Sequence, residues 1–325
     1  MRRSLFEDER LRHVCDLRTL QEVLRHLYPS RETEDHISLE RALTEDHISQ
    51  LVSLSKHLSG SALECYTWFL RYYQLQNLKL VFNCWKNREE RSVLVRYLPN
   101  VPEMLALPVS KLMAASDIRA FAEMLPVSEF GRAIERAVGS GESDEGISFR
   151  VQAELDRAYF IGLRDVVGRI GTAQRRNVRR LTRLQRAIHD TVLLARVKCG
   201  YSPAVEDVLR PLMAPERIAR DQMREAADGV SALIPRSLRL PAEFGEREIL
   251  KLERALRERM HRAANRVFYS AEVGLGIVLA FSYIKRTELA NIIRLIELVR
   301  AGASGRVIRD SMIPALQSEL AYATA

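Results

Sequence analysis

Apolar residues recur along this chain at intervals of three and four, and runs that alternate every second residue are scarce. That period predicts helices throughout and an all-α fold. The clearest stretch is 272–314. An apolar turn carrying Gly274 and Gly276 leads into a long amphipathic helix whose stripe is Ile284, Ile292, Leu295, Ile296 and Val299. Gly302 suits the left-handed position just past a helix end, and Arg300 sits in the last turn, where a cation favours the helix dipole. Ser304 reads as the N-cap of a second, short helix that Pro314 closes.

The same design is written three times. From Asn291, the residues four, five, eight and nine positions on are Leu295, Ile296, Val299 and Arg300. From His189 those offsets give Leu193, Leu194, Val197 and Lys198; from Asn77 they give Val81, Phe82, Trp85 and Lys86. A valine follows at sixteen (Val93, Val205, Val307), and each stretch ends in a proline (Pro99, Pro211, Pro314). Agreement at apolar, basic and proline positions together predicts three similar helical units, 1–100, 101–212 and 213–325. Such units are much longer than the repeats of open solenoids, which disfavours a peptide-binding superhelix. Three of them joined end to end could close around a pseudo-threefold axis and leave a central concavity.

Between these landmarks the pattern predicts an amphipathic helix over 5–28, carrying Leu11, Val14, Leu17, Leu20, Leu24 and Leu27. The hexapeptide TEDHIS occurs at 33–38 and again at 44–49, eleven residues apart, so both copies share a helical face. It reads as a small duplication in a solvated helix, with His36 and His47 exposed. Residues 61–86 are rich in aromatics (Tyr66, Trp68, Phe69, Tyr72, Tyr73, Phe82, Trp85), which favours a buried helix over a base-stacking platform. Short helices broken by prolines are expected over 97–137, a loop over 139–148, and helices over 149–168, 172–198 and 246–269.

Composition narrows the function. Of 325 residues, 47% are hydrophobic and 28% charged, as in a soluble globular protein, and the longest apolar run, Val273–Phe281, is far too short to span a bilayer. The opening MRRSLFEDERLRH turns charged at once and does not read as a signal peptide. Cys15, Cys65, Cys84 and Cys199 lie far apart, which argues for a reducing compartment and against a zinc site. The seven histidines show no metal-ligand spacing, and neither a P-loop nor a nucleophile elbow is present. Acidic residues such as Glu288 are expected at the surface. No catalytic, cofactor-binding or metal-ligating residue is predicted.

The net charge of +8 suits nucleic acid, anionic lipid headgroups or acidic protein partners alike, and composition does not choose among them. Its densest expression is a row on one predicted helix, Arg175, Arg176, Arg179, Arg180, Arg183 and Arg186, opposite the apolar Leu181, Leu184 and Ile188. The row reads either as the solvated side of a core helix or as a docking surface for acidic protein or lipid, with nucleic acid behind both. The repeated positions Asn77, Lys86, Pro99, His189, Lys198, Pro211, Asn291, Arg300 and Pro314 are expected to be structural.

Three passages resemble one family. GLGIVLAF with Lys285, Glu288 and Asn291, YFIGLRDVV (159–167) with HDTVLLARVKCGYSP (189–203), and NLKLVFNCWK (77–86) with YLPNVPEMLALP (97–108) are similar to the C-type subunit of V/A-type rotary ATPases, called d in eukaryotes. His189 departs from the asparagine of the other copies, and residues 1–60 and 213–247 match weakly. The resemblance implies a non-catalytic, cofactor-free funnel of three helical domains. It would sit on the cytoplasmic face of the membrane's proteolipid ring and receive the end of the central shaft. The rival reading is a helical nucleic-acid-binding or adaptor protein that uses the arginine row.

Overall fold

Every regular element among the described residues of the computed structural model (13–17, 19–27, 36–139, 146–198, 246–270 and 274–314) is helical. In chain order these are α1 (Leu20–Leu27), α2 (His36–Leu54), α3 (Gly60–Lys86), α4 (Arg91–Tyr97), α5 (Val109–Met113) and α6 (Ile118–Glu123). There follow α7 (Ser128–Val138), α8 (Ile147–Arg169), α9 (Thr172–Lys198), α10 (Glu246–Phe268), α11 (Leu275–Arg300) and α12 (Gly305–Ser311).

The registers read from sequence recur in the helix ends. α3, α9 and α11 stop at Lys86, Lys198 and Arg300, the basic residues nine past Asn77, His189 and Asn291. Each follows another long helix in the chain, α2, α8 or α10. The short helices α4 and α12 are both seven residues long and both begin fourteen past the asparagine. The corresponding segment after α9, with Pro211, lies outside the described residues. Gly302 closes α11 at φ 70°, and Ala303 N–H donates back to Leu298 O at 2.9 Å. The first copy makes the same turn without glycine: Arg88 takes φ 54° and Glu89 N–H donates to Cys84 O at 2.9 Å.

Two apolar clusters hold the helices. The larger runs from the end of α2 through α3, α7, α8 and the first half of α9 to α10 and the first half of α11, around Tyr66, Phe69, Phe82, Phe130 and Tyr159. The smaller joins the first described helices to the last, packing Val14, Val23, Leu24, Leu39 and Leu43 on Ile292, Leu295, Ile296, Val299, Ile308 and Met312. Helices α3 and α8 cross closely. A Cβ on Gly162 would stand 1.8 Å from the Trp68 ring, so only glycine fits. Trp68 Nε1 donates to Tyr159 O at 2.9 Å and Tyr159 Oη donates to Phe69 O at 3.2 Å, so the two helices are also stitched reciprocally.

Three expectations are corrected. The helix expected over 5–28 is interrupted before α1 by a capping box: Glu22 N–H donates to Thr19 Oγ1 at 3.2 Å and Thr19 N–H to Glu22 Oε2 at 3.1 Å. Residues 1–12 of that span lie outside the described residues. Gly276 lies inside α11, not in a turn; its missing side chain lets α9 approach, since a Cβ there would meet Asn177 Cβ at 3.0 Å. The second TEDHIS copy is solvated only in part: Asp46 and Ser49 are exposed, whereas His47 and Ile48 are buried. His47 is 5% exposed because α2 turns that face onto α3 and α11.

Candidate docking surface

The arginine row lies on α9, whose opposite face supplies Val178, Leu181 and the half-buried Leu184 and Ile188 to the core. The row is not uniform. Arg175 is a terminating residue: its Nε and Nη2 donate to Ile170 O, at 2.8 and 2.5 Å, satisfying a carbonyl at the end of α8. Arg186 pairs with Asp190 Oδ2 at 3.5 Å. Arg176, Arg179, Arg180 and Arg183 are exposed and make no ion pair among the described residues. Arg175, Arg179, Arg183 and Arg186 line a groove of about 610 Å³ between α8 and α9; Arg176 and Arg180 stay outside it.

The repeat positions divide by the work they do. Asn291 is buried and clasps the segment after α12: its Nδ2 donates to Ile313 O at 2.8 Å, and Ile313 N–H donates to its Oδ1 at 3.1 Å. Asn77 does the same job more loosely, with Nδ2 donating to Pro99 O at 3.3 Å. Both asparagines thus reach across twenty-two residues to the backbone at or beside the terminating Pro99 or Pro314. Lys86 is half-buried and Arg300 exposed at their helix ends, and the side chain of Lys198 lies outside the described residues.

His189 does something else. Its Nε2 stands 3.0 Å from Asp156 Oδ2, whose other oxygen accepts from Lys79 Nζ at 2.6 Å, so α3, α8 and α9 meet in one polar knot. Burial opposes the charge on His189, but hydrogen bonds to the Asp156 and Asp190 carboxylates outweigh it and raise the imidazole pKa to about 9. Burial likewise opposes ionisation of Asp156, and Lys79 with His189 still holds its carboxyl below the ordinary range.

A second polar knot was not legible in the sequence. The Arg286 guanidinium sits 3.9 Å over the Tyr72 ring, with Tyr73 and Tyr283 beside it at 5.5 and 5.8 Å. His47 Nε2 meets Tyr73 Oη at 2.7 Å, and burial with the nearby Arg286 and Lys285 charges depresses the imidazole to about 3. Glu288 is corrected here: it is 7% exposed and paired with Lys285, one turn away, inside the fold. The signal was Lys285 and Glu288 flanked by Ile284 and Ile292 on the apolar side of a helix.

Among the described residues no group of His, Cys, Asp and Glu has the arrangement to hold a metal ion. Cys15, Cys65 and Cys84 are buried free thiols, and burial pushes them up to about 11, 12 and 11. What remains is a helical body with exposed guanidinium along α9. Among curated proteins none matches the chain. The family described as ATP synthase (C/AC39) subunit matches it over residues 1–311, almost the whole length, and agrees with the likeness carried by the three sequence passages. By that match the chain belongs to the C/AC39 subunit family of V/A-type ATPases.

Proposed function

We propose that this chain is the non-catalytic coupling subunit of a V/A-type ATPase, a socket that joins the central shaft to the membrane proteolipid ring during ATP-coupled H⁺ or Na⁺ transport. The family match over residues 1–311 carries this reading. The geometry supports it in three respects. Among the described residues no helix is long and apolar enough to cross a membrane, consistent with a peripheral seat on the cytoplasmic face. The succession of long helices α2 then α3, α8 then α9 and α10 then α11, with α3, α9 and α11 ending in register, suits a funnel of three units about a pseudo-threefold axis. Interlocked crossings such as Gly162 on Trp68 give the stiffness that transmitted torque demands, since close-packed interiors pass on strain.

The test is a tagged pull-down of the full chain from gently solubilised membranes, with the co-purifying proteins identified by mass spectrometry. Central-shaft and proteolipid subunits are the expected catch. A protein that stays in the soluble fraction with bound nucleic acid and no rotary subunits overturns the reading. The exposed arginines outside the groove are the docking candidates for acidic neighbours. Arg176→Glu with Arg180→Glu is expected to lower recovery of the complex by about tenfold, as for loss of two interfacial charges, while the helical circular dichroism is unchanged. Undiminished recovery would remove this face from the interface without touching the socket reading.

A further inference from the structure

The groove between α8 and α9 offers a different kind of recognition from a flat basic face. Its floor is Phe160, Leu163 and Val167, and these are only 7%, 1% and 5% exposed. An amphipathic helix laid there would therefore gain little from covering these three side chains, which weakens the usual driving force for helix-in-groove docking. What the groove does present is guanidinium: Arg175, Arg179, Arg183 and Arg186 from α9, and Arg164 from the α8 side. One carboxylate lines it, Asp165, which already accepts from Arg164 Nε at 3.0 Å.

From this arrangement we infer that the α8–α9 groove is a recognition site for phosphate groups, taking a compact polyphosphorylated anion or the headgroup of a phosphate-bearing lipid. Guanidinium forks match phosphate oxygens two at a time and shed water more readily than ammonium, so a lining whose cations among the described residues are all arginines suits this ligand better than a lysine surface would. A lone carboxylate brings one charge to a hollow faced by several cations, whereas each phosphate brings up to two charges and three acceptor oxygens. Arg175 is held in place by Ile170 O and Arg186 is steered by Asp190, so two of the four α9 arginines are partly ordered before a ligand arrives. Arg179 and Arg183, which lie between them, make no ion pair among the described residues and carry the recognition. The site does not depend on the rotary-ATPase reading and stands or falls separately from it.

The experiment is titration calorimetry of the full chain with inorganic tripolyphosphate, using three proteins. Arg179→Gln with Arg183→Gln removes two groove charges at exposed positions. Arg119→Gln with Arg306→Gln removes the same net charge from side chains 84% and 88% exposed elsewhere. Unchanged circular dichroism melts establish that all three are folded. Binding by the wild type, weakened about tenfold or more in the groove variant and unchanged in the control, is the expected result. Absent binding, or equal weakening in both variants, overturns the site, as does tighter binding of a poly-glutamate peptide than of tripolyphosphate. Flotation with phosphatidylcholine vesicles carrying phosphatidic acid identifies the source. Flotation that tripolyphosphate competes away marks a lipid headgroup; tripolyphosphate binding without flotation marks a soluble anion.

Discussion

His189 is a cation shared between two carboxylates inside a packed hairpin, and its charge is therefore coupled to folding. The imidazole titrates near 6.5 in an unfolded chain and at about 9 in place. The folded state thus holds its proton more tightly, so the stabilisation is fully present below pH 6.5 and is lost as pH rises through about 9. A shift of this size corresponds to at most about 3.5 kcal/mol. His47 works in the opposite direction: it is held neutral, down to about 3, so folding weakens as pH falls below the ordinary imidazole range. The two histidines together place the stability maximum near neutrality. Urea midpoints of the wild type should fall between pH 6.5 and 9, and those of His189→Asn should fall less over that window, the remainder coming from the buried thiols. A wild-type midpoint that does not move would contradict the ion pair.

Helices α3 and α8 are held at a distance that one glycine sets. Gly162→Ala would drive a methyl into the Trp68 ring, and relief requires moving either the indole, which is tied to Tyr159 O, or a whole helix. Overpacking of this kind costs about 1–3 kcal/mol, and the upper end is expected here because the blocking atoms are a buried ring rather than a flexible chain end. Chemical denaturation would measure it. The clasps that close α4 and α12 give a graded comparison. Asn291→Ala removes one donor and one acceptor and strands the buried Ile313 backbone groups, for about 2–3 kcal/mol; Asn77→Ala loses a single longer bond, for about 1 kcal/mol. Equal losses at the two sites would show that the clasps are not the same device at different strengths.

Across the whole molecule, the larger apolar cluster threads all three stretches instead of stopping at the expected unit boundaries. Tyr66 of α3 bonds Leu51 O in α2 and Ser282 in α11, and Tyr283 of α11 donates to Gln185 of α9 at 2.5 Å. A segment 1–100 expressed alone would expose Tyr66, Phe69 and Trp68, which are buried by partners beyond residue 100. It is expected to melt without the cooperative transition of the full chain, as followed by circular dichroism. A sharp, reversible transition of the isolated segment would show that the unit is self-sufficient. The shared core also bears on the socket reading, since a body whose units share side chains deforms as one piece under load.

Local chemistry determined much of this protein before any contact was known. The stops of α3, α9 and α11, the short α12 behind its Ser304 cap, and the spans 172–198 and 246–268 are all set within a few residues by period, glycine, proline and charge. The all-helical class and the family likeness rest on that same local information. Tertiary structure decided which polar residues face inward and which basic residues share a hollow. His47 reads as solvent-facing until Tyr73, twenty-six residues away, covers it. His189 reads as a weak stand-in for asparagine until Asp156 reaches it from α8. Six arginines share a helix in sequence, but only the packing of α9 on α8 divides them into groove-facing and outward-facing sets. A helix's own period orders its side chains around the axis; the direction of the core, and hence each residue's partner, comes from the helices that pack against it.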